Sequence, residues 1–336
     1  MGRYHHALSK EIRAYRWDCL PETAYFGGGT PSLMPLQLLQ DVMDAIPGDR
    51  LTEVTLECAP GTIKAHSIER WNQCGIDRVS LGVQSFVTTE LRQTGRRHDP
   101  KTVQADMHLL RQHGIDNINI DLIAGLPGQN TESWEHSLDW IERLDPPHVS
   151  VYIFEIDEDS RLGKEVLHGG SRYGASQIPD DDLTADLYER AVDRLATYGL
   201  ERYEISNFAR AGRQSRHNLK YWQSEPYIGF GLDAHSFDGR YRSSNPDTLQ
   251  AYLAEQESEI SPARDLIEID GPEEHFFVGL RLMRGIEPTP EEWSRFAQPI
   301  EKYLGNGMLE RHGDRLRLSA RAVLVSNEIF EDFVHA

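Results

Sequence analysis

The stretch Asn117-Ile-Asn-Ile-Asp-Leu-Ile-Ala-Gly-Leu-Pro-Gly128 decides the fold. Polar and apolar residues alternate up to Asp121, which is the two-residue period of a β-strand with one polar face. A Gly/Pro loop follows, so the last polar side chain lies near the carboxyl end of the strand. The same alternation recurs in Glu53-Val-Thr-Leu-Glu57 and in Val79-Ser-Leu-Gly-Val-Gln84.

Short β-rich runs alternate with amphipathic stretches through the first half of the chain, which predicts βα units around a parallel sheet. The predicted strands are Thr23 to Gly27, Glu53 to Glu57, Arg78 to Gly82, Asn117 to Leu122 and His148 to Phe154. The predicted helices are Leu36 to Ile46, Ser67 to Cys74, Thr102 to Gln112 and Glu132 to Leu144. This repeat suits a full or partial α/β barrel, which binds ligands at the carboxyl ends of its strands.

The polar strand faces indicate what fills this barrel. Parallel strands covered on both faces are usually continuous runs of Val, Ile and Leu. Strands with one polar face therefore predict a polar lumen and a polar ligand, with Glu57, Gln84 and Asp121 pointing inward near the strand ends. The competing hypothesis is that these three are buried, hydrogen-bonded groups that only tie loops together.

Composition excludes several classes of function. The 336 residues include 35 Lys and Arg against 54 Asp and Glu, a formal net charge of −19 that repels phosphate backbones and anionic membrane surfaces. No window approaches the roughly 18 apolar residues of a membrane span. The amino-terminal residues lack the apolar run of a secretory signal, and three cysteines cannot form a disulfide framework. We expect a cytoplasmic protein that does not bind nucleic acid.

Two motifs place ligand-binding groups at the barrel mouth. Gly27-Gly-Gly-Thr-Pro31 allows close approach of the backbone to a ligand, and its Thr30-Pro31 end opens a predicted helix whose amides favour an anion. The motif has neither the Lys of a P-loop nor the spacing of a dinucleotide fingerprint. Arg96 offers a planar match to a carboxylate, although a surface ion pair is the commoner role of an arginine.

The pattern changes from Pro179 onward. We predict a helix from Leu183 to Tyr198, a strand within Arg202 to Ala209 and irregular structure from Gly212 to Gly239. The irregular segment sets two histidines among Gly, Asn and aromatic residues, as in a pocket for a flat cofactor. Its candidate binding residues are His217, Tyr221, Trp222 and His235. The alternative is a tight loop in which the histidines bond only to the backbone, and a histidine pair alone is a weak sign of a metal.

The predicted domains are a barrel with an extension at residues 1–240, a connector at 241–271 and a small module at 272–336. The module combines a capping box at Thr289, a hairpin turning at Gly313-Asp314 and a final helix, which suggests a winged-helix-like shape. Winged helices commonly bind DNA. With 8 basic and 11 acidic residues the module carries a net charge of −3, so we expect it to pack against the barrel instead.

The three cysteines, Cys19, Cys58 and Cys74, are too far apart in sequence to form a local cluster-binding motif. Cys58 ends a strand, whereas the other two precede strands at the opposite face of the predicted barrel. We therefore predict structural cysteines and no metal site in this chain.

Several of these segments together resemble the oxygen-independent coproporphyrinogen III oxidase family of radical S-adenosylmethionine (SAM) proteins. They are Tyr25 to Ser32, Glu53 to Gly61, Arg78 to Phe86, Asn119 to Pro127 and His217 to Trp222, and the likeness extends from Tyr4 to Val334. The His-Asn-x-x-Tyr-Trp segment and the region from Leu318 to Asn327 resemble the haem chaperone branch, HemW, more than the oxidase.

This resemblance implies a radical-SAM-type partial (β/α)6 TIM-like barrel that lacks its first strand, plus a winged-helix-like α+β module. It also implies a SAM site, in which the glycine loop contacts the methionine part and further side chains line the rest. The implied contacts are Gly28, Gly29, Thr30, Pro31, Glu57, Gln84, Arg96 and Asp121. Family enzymes use a [4Fe-4S] cluster to cleave SAM, and the chaperone branch binds haem and delivers it. The implied partners are haem or porphyrin, an acceptor protein and, with a cluster present, an electron donor.

The chain departs from the family in one respect. Family members carry C-x-x-x-C-x-x-C in a segment that would precede Met1, and this sequence has no such motif. We interpret the difference as a late start of the sequence, with loss of the cluster as the alternative, so whether the protein is an enzyme is left open. The rivals to haem handling are a coproporphyrinogen III oxidase that lacks its cluster segment here, and a cofactor-free barrel hydrolase that uses Glu57 and Asp121 as acid and base.

Overall fold

The structure, a computed structural model, describes residues 2–48, 51–156, 161–168, 170, 172–258, 266–269 and 271–334. Backbone contacts divide the chain into two compact units. The sheet unit comprises Ala24–Met34 and Glu53–Gln214. The terminal unit comprises Met1–Thr23, Pro35–Thr52 and Ser215–Ala336. Both units are discontinuous in sequence, so the domain boundaries proposed at residues 240 and 271 stay a prediction.

Strands and helices alternate through the first half of the chain, as the sequence predicted. The strands are β1 Thr23–Phe26, β2 Glu53–Cys58, β3 Arg78–Gln84, β4 Asn117–Ala124, β5 His148–Ile153, β6 Glu201–Arg202, β7 Asn207–Ala209, β8 His235–Phe237, β9 Tyr241–Ser244, β10 Ile267–Glu268, β11 Leu309–His312 and β12 Arg315–Leu318. The helices are α1 Gly2–Ala14, α2 Leu36–Met43, α3 Ala65–Gln73, α4 Thr88–Gln93, α5 Pro100–Gln112, α6 Thr131–Leu144, α7 Arg161–Leu167, α8 Asp181–Thr197, α9 Arg216–Trp222, α10 Leu249–Glu257, α11 Glu273–Gly279, α12 Pro290–Arg295, α13 Ala297–Gly305 and α14 Ser326–Val334. Short 3-10 helices span Pro31–Leu33, Arg172–Gln177 and Ala320–Val325.

A seven-stranded sheet in the order β1-β2-β3-β4-β5-β7-β6 forms the centre of the sheet unit. Strands β2 to β5 run parallel, β7 is antiparallel to β5, and β6 is antiparallel to β7. The predicted α/β class with a mostly parallel sheet is therefore confirmed. The register pairs Glu57 with Ser80, Ser80 with Asn119, and Asp121 with Ser150, so the polar positions of neighbouring strands stand in rows.

The apolar positions of the same strands are fully buried, as Leu81 and Ile120 illustrate. Each covering helix buries one stripe of residues, with Trp71 on α3 and Trp134 on α6 the largest. Period-two strands and amphipathic helices thus place hydrocarbon on the helix side of the sheet. The other side is left to polar residues.

Two local predictions in the second half were wrong. Residues 202–209 form two short antiparallel strands instead of one, because Glu204 accepts hydrogen bonds from the Ser206 amide and from Asn207, which makes a turn. The segment predicted to be irregular at 212–239 contains helix α9. The Ser215 hydroxyl caps that helix by accepting from the Asn218 amide at 3.3 Å.

The terminal unit contains the predicted C-terminal module of helices and a hairpin. Strands β11 and β12 pair antiparallel from Leu309 with Leu318 to His312 with Arg315. Thr289 and Glu292 form the predicted capping box. Ring contacts of Phe276 with Phe296 and Phe333, at 4.5 and 4.7 Å between centroids, build the module's core. The final helix begins as the 3-10 turn and becomes α-helical only at Ser326.

Within the described ranges, no helix is both long and apolar enough to cross a membrane. Of the connector proposed at residues 241–271, the structure describes β9, α10 and β10, while residues 259–265 and 270 lie outside the described ranges.

Candidate functional site

The glycine loop after β1 is exposed and shaped by two consecutive left-handed residues. Gly28 and Gly29 have φ of 75° and 73°, a region that favours glycine, and no atom lies within 4 Å of where a Cβ would stand on either. A Cβ on Gly27 would instead lie 2.9 Å from the Tyr25 ring and 3.2 Å from the Glu57 carboxylate. The loop therefore offers open backbone to a ligand beside Tyr25 and Glu57.

The prediction that a helix begins at Thr30 and Pro31 is wrong. Only a three-residue 3-10 helix follows, Thr30 makes no side-chain cap, and α2 begins later. The buried Ser32 hydroxyl lies 2.9 Å from the Thr62 hydroxyl, which ties this loop to the loop after β2. A single 3-10 turn lacks the aligned peptide dipoles of a longer helix, so the anion preference expected of a helix start does not apply.

Tyr25 orients Glu57 at the end of the second strand. The Tyr25 hydroxyl donates to Glu57 Oε1 at 2.8 Å. Burial, and then the charge of Glu57, raise the pKa of Tyr25, so the phenol stays protonated and keeps donating. Glu57 is half-buried and retains a second carboxylate oxygen for another donor.

Arg96 and Gln84 lie together over Gly82. Arg96 Nη1 donates to the Gly82 carbonyl at 2.9 Å, and a Cβ on Gly82 would stand 3.2 Å from Gln84 Nε2 and 3.6 Å from Arg96 Nη1. A Cβ at position 82 would press on the Gln84 amide, whereas its distance from Arg96 is an ordinary van der Waals contact. Burial lowers the pKa of Arg96, and the charge of Asp121 counteracts the effect, so the guanidinium faces a carboxylate in a partly desolvated place.

Gln84 adopts a strained backbone conformation at the end of β3. Its φ is 71°, rare for a residue with a side chain, and the register of β3 against β4 shifts between Leu81 and Gln84. Its Oε1 atom is buried and has no hydrogen-bond partner within the described chain. Strain and an unsatisfied buried acceptor are both typical of a site that awaits a ligand.

Asp121 is the most strongly perturbed acid of the group. Its carboxylate accepts from Asn119 Nδ2 at 2.7 Å and from the Ser80 hydroxyl at 3.2 Å. Burial raises the pKa of Asp121 to about 6, with Asn119 opposing that shift. An acid perturbed by burial in a polar cleft marks a candidate functional site.

The structure therefore brings together four side chains that the sequence singled out, three at strand ends and Arg96 from the loop after α4. Asp121 interacts electrostatically with Glu57 and with Arg96, and Arg96 adjoins Gln84. The group combines one cation, two carboxyl groups and an amide with an open glycine backbone. Such a set can hold a ligand that carries a carboxylate, an amine and hydroxyl groups, which matches the parts of SAM.

Two buried acids fix the loops that carry these residues. Glu90 accepts from the Ser85 hydroxyl at 2.6 Å and from Gln129 at 3.3 Å, and so joins the loops that follow β3 and β4. Asp106 accepts from the Gly61 amide at 2.6 Å and holds the loop after β2. The site thus rests on side chains that pack beneath the strand ends.

The His217 segment lies in the terminal unit. His217 Nδ1 lies 2.8 Å from the Thr23 hydroxyl and its Nε2 lies 2.9 Å from the Tyr221 hydroxyl, so both ring nitrogens have partners. Tyr221 also meets Tyr227 edge-on at 4.5 Å. One face of the Trp222 ring is covered by the Arg281 guanidinium at 4.5 Å, and the buried Trp222 Nε1 has no partner in the described chain.

His235 differs from His217. It lies on β8 with an exposed side chain, and its backbone pairs with Ser244. An exposed imidazole can donate a nitrogen to a metal without breaking a hydrogen bond, whereas His217 must first give up Thr23 or Tyr221.

Among the residues that the structure describes, no set of side chains could bind an iron–sulfur cluster. They contain no group of three His, Cys, Asp or Glu side chains that could hold a metal. Cys58 and Cys74 are buried free thiols, and burial raises the pKa of Cys58, which disfavours the thiolate that binds metals. We therefore assign no residue to an iron–sulfur cluster.

Sequence reasoning missed four residues around the strand-end site: Tyr25, Arg78, His148 and Tyr152. Arg78 and His148 are fully buried, and Tyr152 interacts electrostatically with Asp121. The signal was present, because all four continue the alternation that identified Glu57, Gln84 and Asp121. Polar residues at the amino ends of strands received too little weight.

Comparisons with known proteins show which families the sequence resembles. Residues 6–141 match the Radical SAM superfamily. The chain is 32% identical over 328 residues to the "Heme chaperone HemW" of Bacillus subtilis, covering 93% of this chain and 85% of that protein. It is 32% identical over 331 residues to the protein of the same name in Escherichia coli, covering 93% and 84%.

A solved structure shares the fold. The coproporphyrinogen III oxidase HemN of Escherichia coli, described as a radical SAM enzyme, superposes with a TM-score of 0.81 at 20% identity. The match covers 99% of this chain and 82% of that one. At this identity the likeness supports the fold, which is the partial barrel expected from the sequence.

Proposed function

Because the chain belongs to the HemW family of radical SAM proteins, we propose that its sheet unit binds SAM and that the protein takes up haem and passes it to an acceptor protein. The observation that carries the SAM proposal is the convergence of Glu57, Gln84, Arg96 and Asp121 beside an open glycine loop. The haem proposal rests on the names of relatives that match more than nine tenths of the chain.

Each side chain has a role that its chemistry supports. Arg96 binds the carboxylate of SAM, because one side of its guanidinium is engaged by Gly82 and the other remains for a ligand. Asp121 and Glu57 accept from ribose hydroxyls, and Gln84 donates or accepts through its unsatisfied amide.

The glycine loop supplies the remaining contacts. The backbone of Gly28, Gly29, Thr30 and Pro31 lies along the methionine part of SAM. The absence of side-chain atoms around Gly28 and Gly29 supports this placement, because a ligand there meets only backbone.

For haem we propose the segment that contains His217, Tyr221, Trp222 and His235. The two imidazoles are the candidate nitrogen donors for iron, and the aromatic rings are candidate walls. His235 is exposed and available as it stands, whereas His217 must exchange a hydrogen bond. Substituting each histidine in turn therefore shows which of the two binds iron.

The rival functions receive less support. A coproporphyrinogen III oxidase is supported by the shared fold, but the relatives at 32% identity carry the chaperone name. The cofactor-free hydrolase finds no support in the names of the relatives reported above, which are those of radical SAM and haem chaperone proteins. An acceptor protein, an electron donor for a bound cluster and a cytoplasmic location stay predictions from the sequence.

The experiment titrates the full chain separately with SAM by calorimetry and with haem by absorption spectroscopy. We expect Asp121→Ala to weaken SAM binding by at least about 10-fold, since a charge-assisted hydrogen bond contributes about 1.5 to 3 kcal/mol. We expect His235→Ala or His217→Ala to shift the Soret band, and His66→Ala, an exposed histidine of α3, to leave it unchanged. Equal SAM binding by wild type and Asp121→Ala contradicts the SAM site, and unchanged haem spectra in both histidine variants contradict the haem site.

A further inference from the structure

A buried histidine and a buried asparagine lie behind Asp121. The His148 side chain is 0% exposed and that of Asn119 is 2% exposed. His148 Nδ1 lies 2.6 Å from Asn119 Oδ1, and His148 Nε2 lies 2.9 Å from the Tyr203 hydroxyl. Asn119 Nδ2 then reaches Asp121 Oδ1 at 2.7 Å. Four polar side chains from three parts of the sheet unit thus form one continuous chain.

Along this series of hydrogen bonds, each donor points toward Asp121. Burial, reinforced by the charge of Arg78, lowers the pKa of His148 well below its usual value, so the ring is neutral and carries one N–H. Asp121 accepts when ionised, so Asn119 must present its amide nitrogen to the acid and its oxygen to His148. The His148 proton therefore sits on Nδ1, and Nε2 accepts from Tyr203. Each bond polarises the next toward Asp121.

The Asn119 amide is held from both sides. Ser150 donates to Asn119 Oδ1 at 3.2 Å, and Asn119 Nδ2 also approaches the Ser80 hydroxyl at 2.7 Å. Burial raises the pKa of Asp121, and Asn119 counteracts that effect more strongly than Ser150 or Arg78 does. In the described part of the chain Asp121 Oδ2 accepts from the Ser80 hydroxyl at 3.2 Å, and a carboxylate oxygen has the capacity to accept from a further donor.

Other charged and titratable groups face Asp121 from every neighbouring strand. Glu57 on β2 raises its pKa and Arg78 on β3 lowers it. Tyr25 on β1 and Tyr152 on β5 interact with it electrostatically, and Arg96 approaches from beyond β3. The Asn119 variants below leave all five of these residues in place.

We propose that Asn119 and His148 are positioning residues of the ligand site, which hold the Asp121 carboxylate ionised, with its Oδ2 free to accept from a ligand hydroxyl. This inference rests on the proposed SAM site for the identity of the ligand. The positioning itself is a property of the unliganded protein. Neither residue needs to touch the ligand.

The test measures the titration of Asp121 in the full chain without any ligand. Aspartate labelled with ¹³C at the side-chain carboxyl is followed by NMR, and Asp121→Asn identifies the signal. We expect a midpoint near pH 6 in wild type, since burial raises the pKa of Asp121 to about 6. Asn119→Ala should raise the midpoint by about one to two pH units, because it removes a hydrogen bond to the ionised form.

Two further variants separate positioning from general destabilisation. His148→Phe keeps the Asn119 amide but leaves it free to rotate, so we expect a smaller upward shift of the Asp121 midpoint. This variant also provides the test if Asn119→Ala does not fold. Ser137→Ala is the matched control: Ser137 is 0% exposed and accepts from the Phe86 amide at 3.2 Å, outside the network of Asn119, His148 and Ser150 around Asp121. A merely structural role lowers the melting temperature of all three variants and leaves the Asp121 midpoint in place.

SAM calorimetry on the same proteins distinguishes failure of this inference from failure of the proposed function. A shifted midpoint in Asn119→Ala together with roughly 10-fold weaker SAM binding supports both. No SAM binding by wild type refutes the SAM site, while the midpoint still decides the positioning. An unshifted midpoint in folded Asn119→Ala and His148→Phe, or a shifted one with undiminished SAM affinity, overturns the inference.

Discussion

Arg96→Ala should weaken the binding of SAM without weakening the binding of decarboxylated SAM. One guanidinium nitrogen of Arg96 is engaged by the Gly82 carbonyl at 2.9 Å, which leaves the other edge for the ligand carboxylate. A charge-assisted hydrogen bond contributes about 1.5 to 3 kcal/mol, so the loss amounts to roughly 10- to 150-fold in Kd. Decarboxylated SAM has no partner for this edge, so its Kd should change by less than about threefold.

Calorimetry at one pH and salt concentration gives both dissociation constants for wild type, Arg96→Ala and Arg97→Ala. Arg97 is the matched control, because it is the adjacent cation and is exposed. Thermal unfolding of each variant checks that loss of the Gly82 contact leaves the fold intact. An equal loss of affinity for both ligands in Arg96→Ala would refute a carboxylate-specific role.

Three further predictions concern the stability of the fold and the reactivity of its cysteines. Burial raises the pKa of Asp121 to about 6, so ionising its carboxyl group opposes folding. The free energy of unfolding of wild type should therefore fall relative to that of Asp121→Asn as the pH rises from about 4 to 6. Urea denaturation that gives the same pH dependence for both proteins would contradict this. The Glu11 carboxylate accepts from the Tyr252 hydroxyl and from two other buried donors, so Glu11→Ala should lower the free energy of unfolding by about 3 kcal/mol. A loss below about 1 kcal/mol would show that these donors find other acceptors. Iodoacetamide should modify the exposed Cys19 but reach the buried Cys58, whose thiol pKa is raised, only after denaturation; labelling of both at equal rates in the folded protein would contradict the burial.

The parallel half of the fold follows from the sequence because its signals are local and repeat. Alternation along β2, β3 and β4 specifies which side of the sheet is polar, and the strand ends then place Glu57, Gln84 and Asp121 on one side. Arg96 could be added on chemistry, since a guanidinium is a planar match for a ligand carboxylate, whereas its interaction with Asp121 became visible only in the structure.

Contacts between residues distant in sequence explain what the sequence did not show. The helix at Arg216–Trp222 was missed because its signal is a single Ser215 cap within a Gly-rich and aromatic stretch. The partners of His217 include Thr23, 194 residues away, so its engaged state was not visible from its neighbours. His148 was overlooked although it continues the alternation along β5, because one buried imidazole looks like a core residue until Asn119 and Tyr203 are seen beside it.

A crystal structure of the full chain with SAM would show the ligand and its contacts together. We predict density for SAM at the carboxyl ends of β1 to β4, with its carboxylate within about 3.2 Å of Arg96 and its ribose hydroxyls on Asp121 or Glu57. The methionine part should lie along the backbone of Gly28 and Gly29. SAM bound elsewhere, with Arg96 and Asp121 free of contacts to it, would contradict the account.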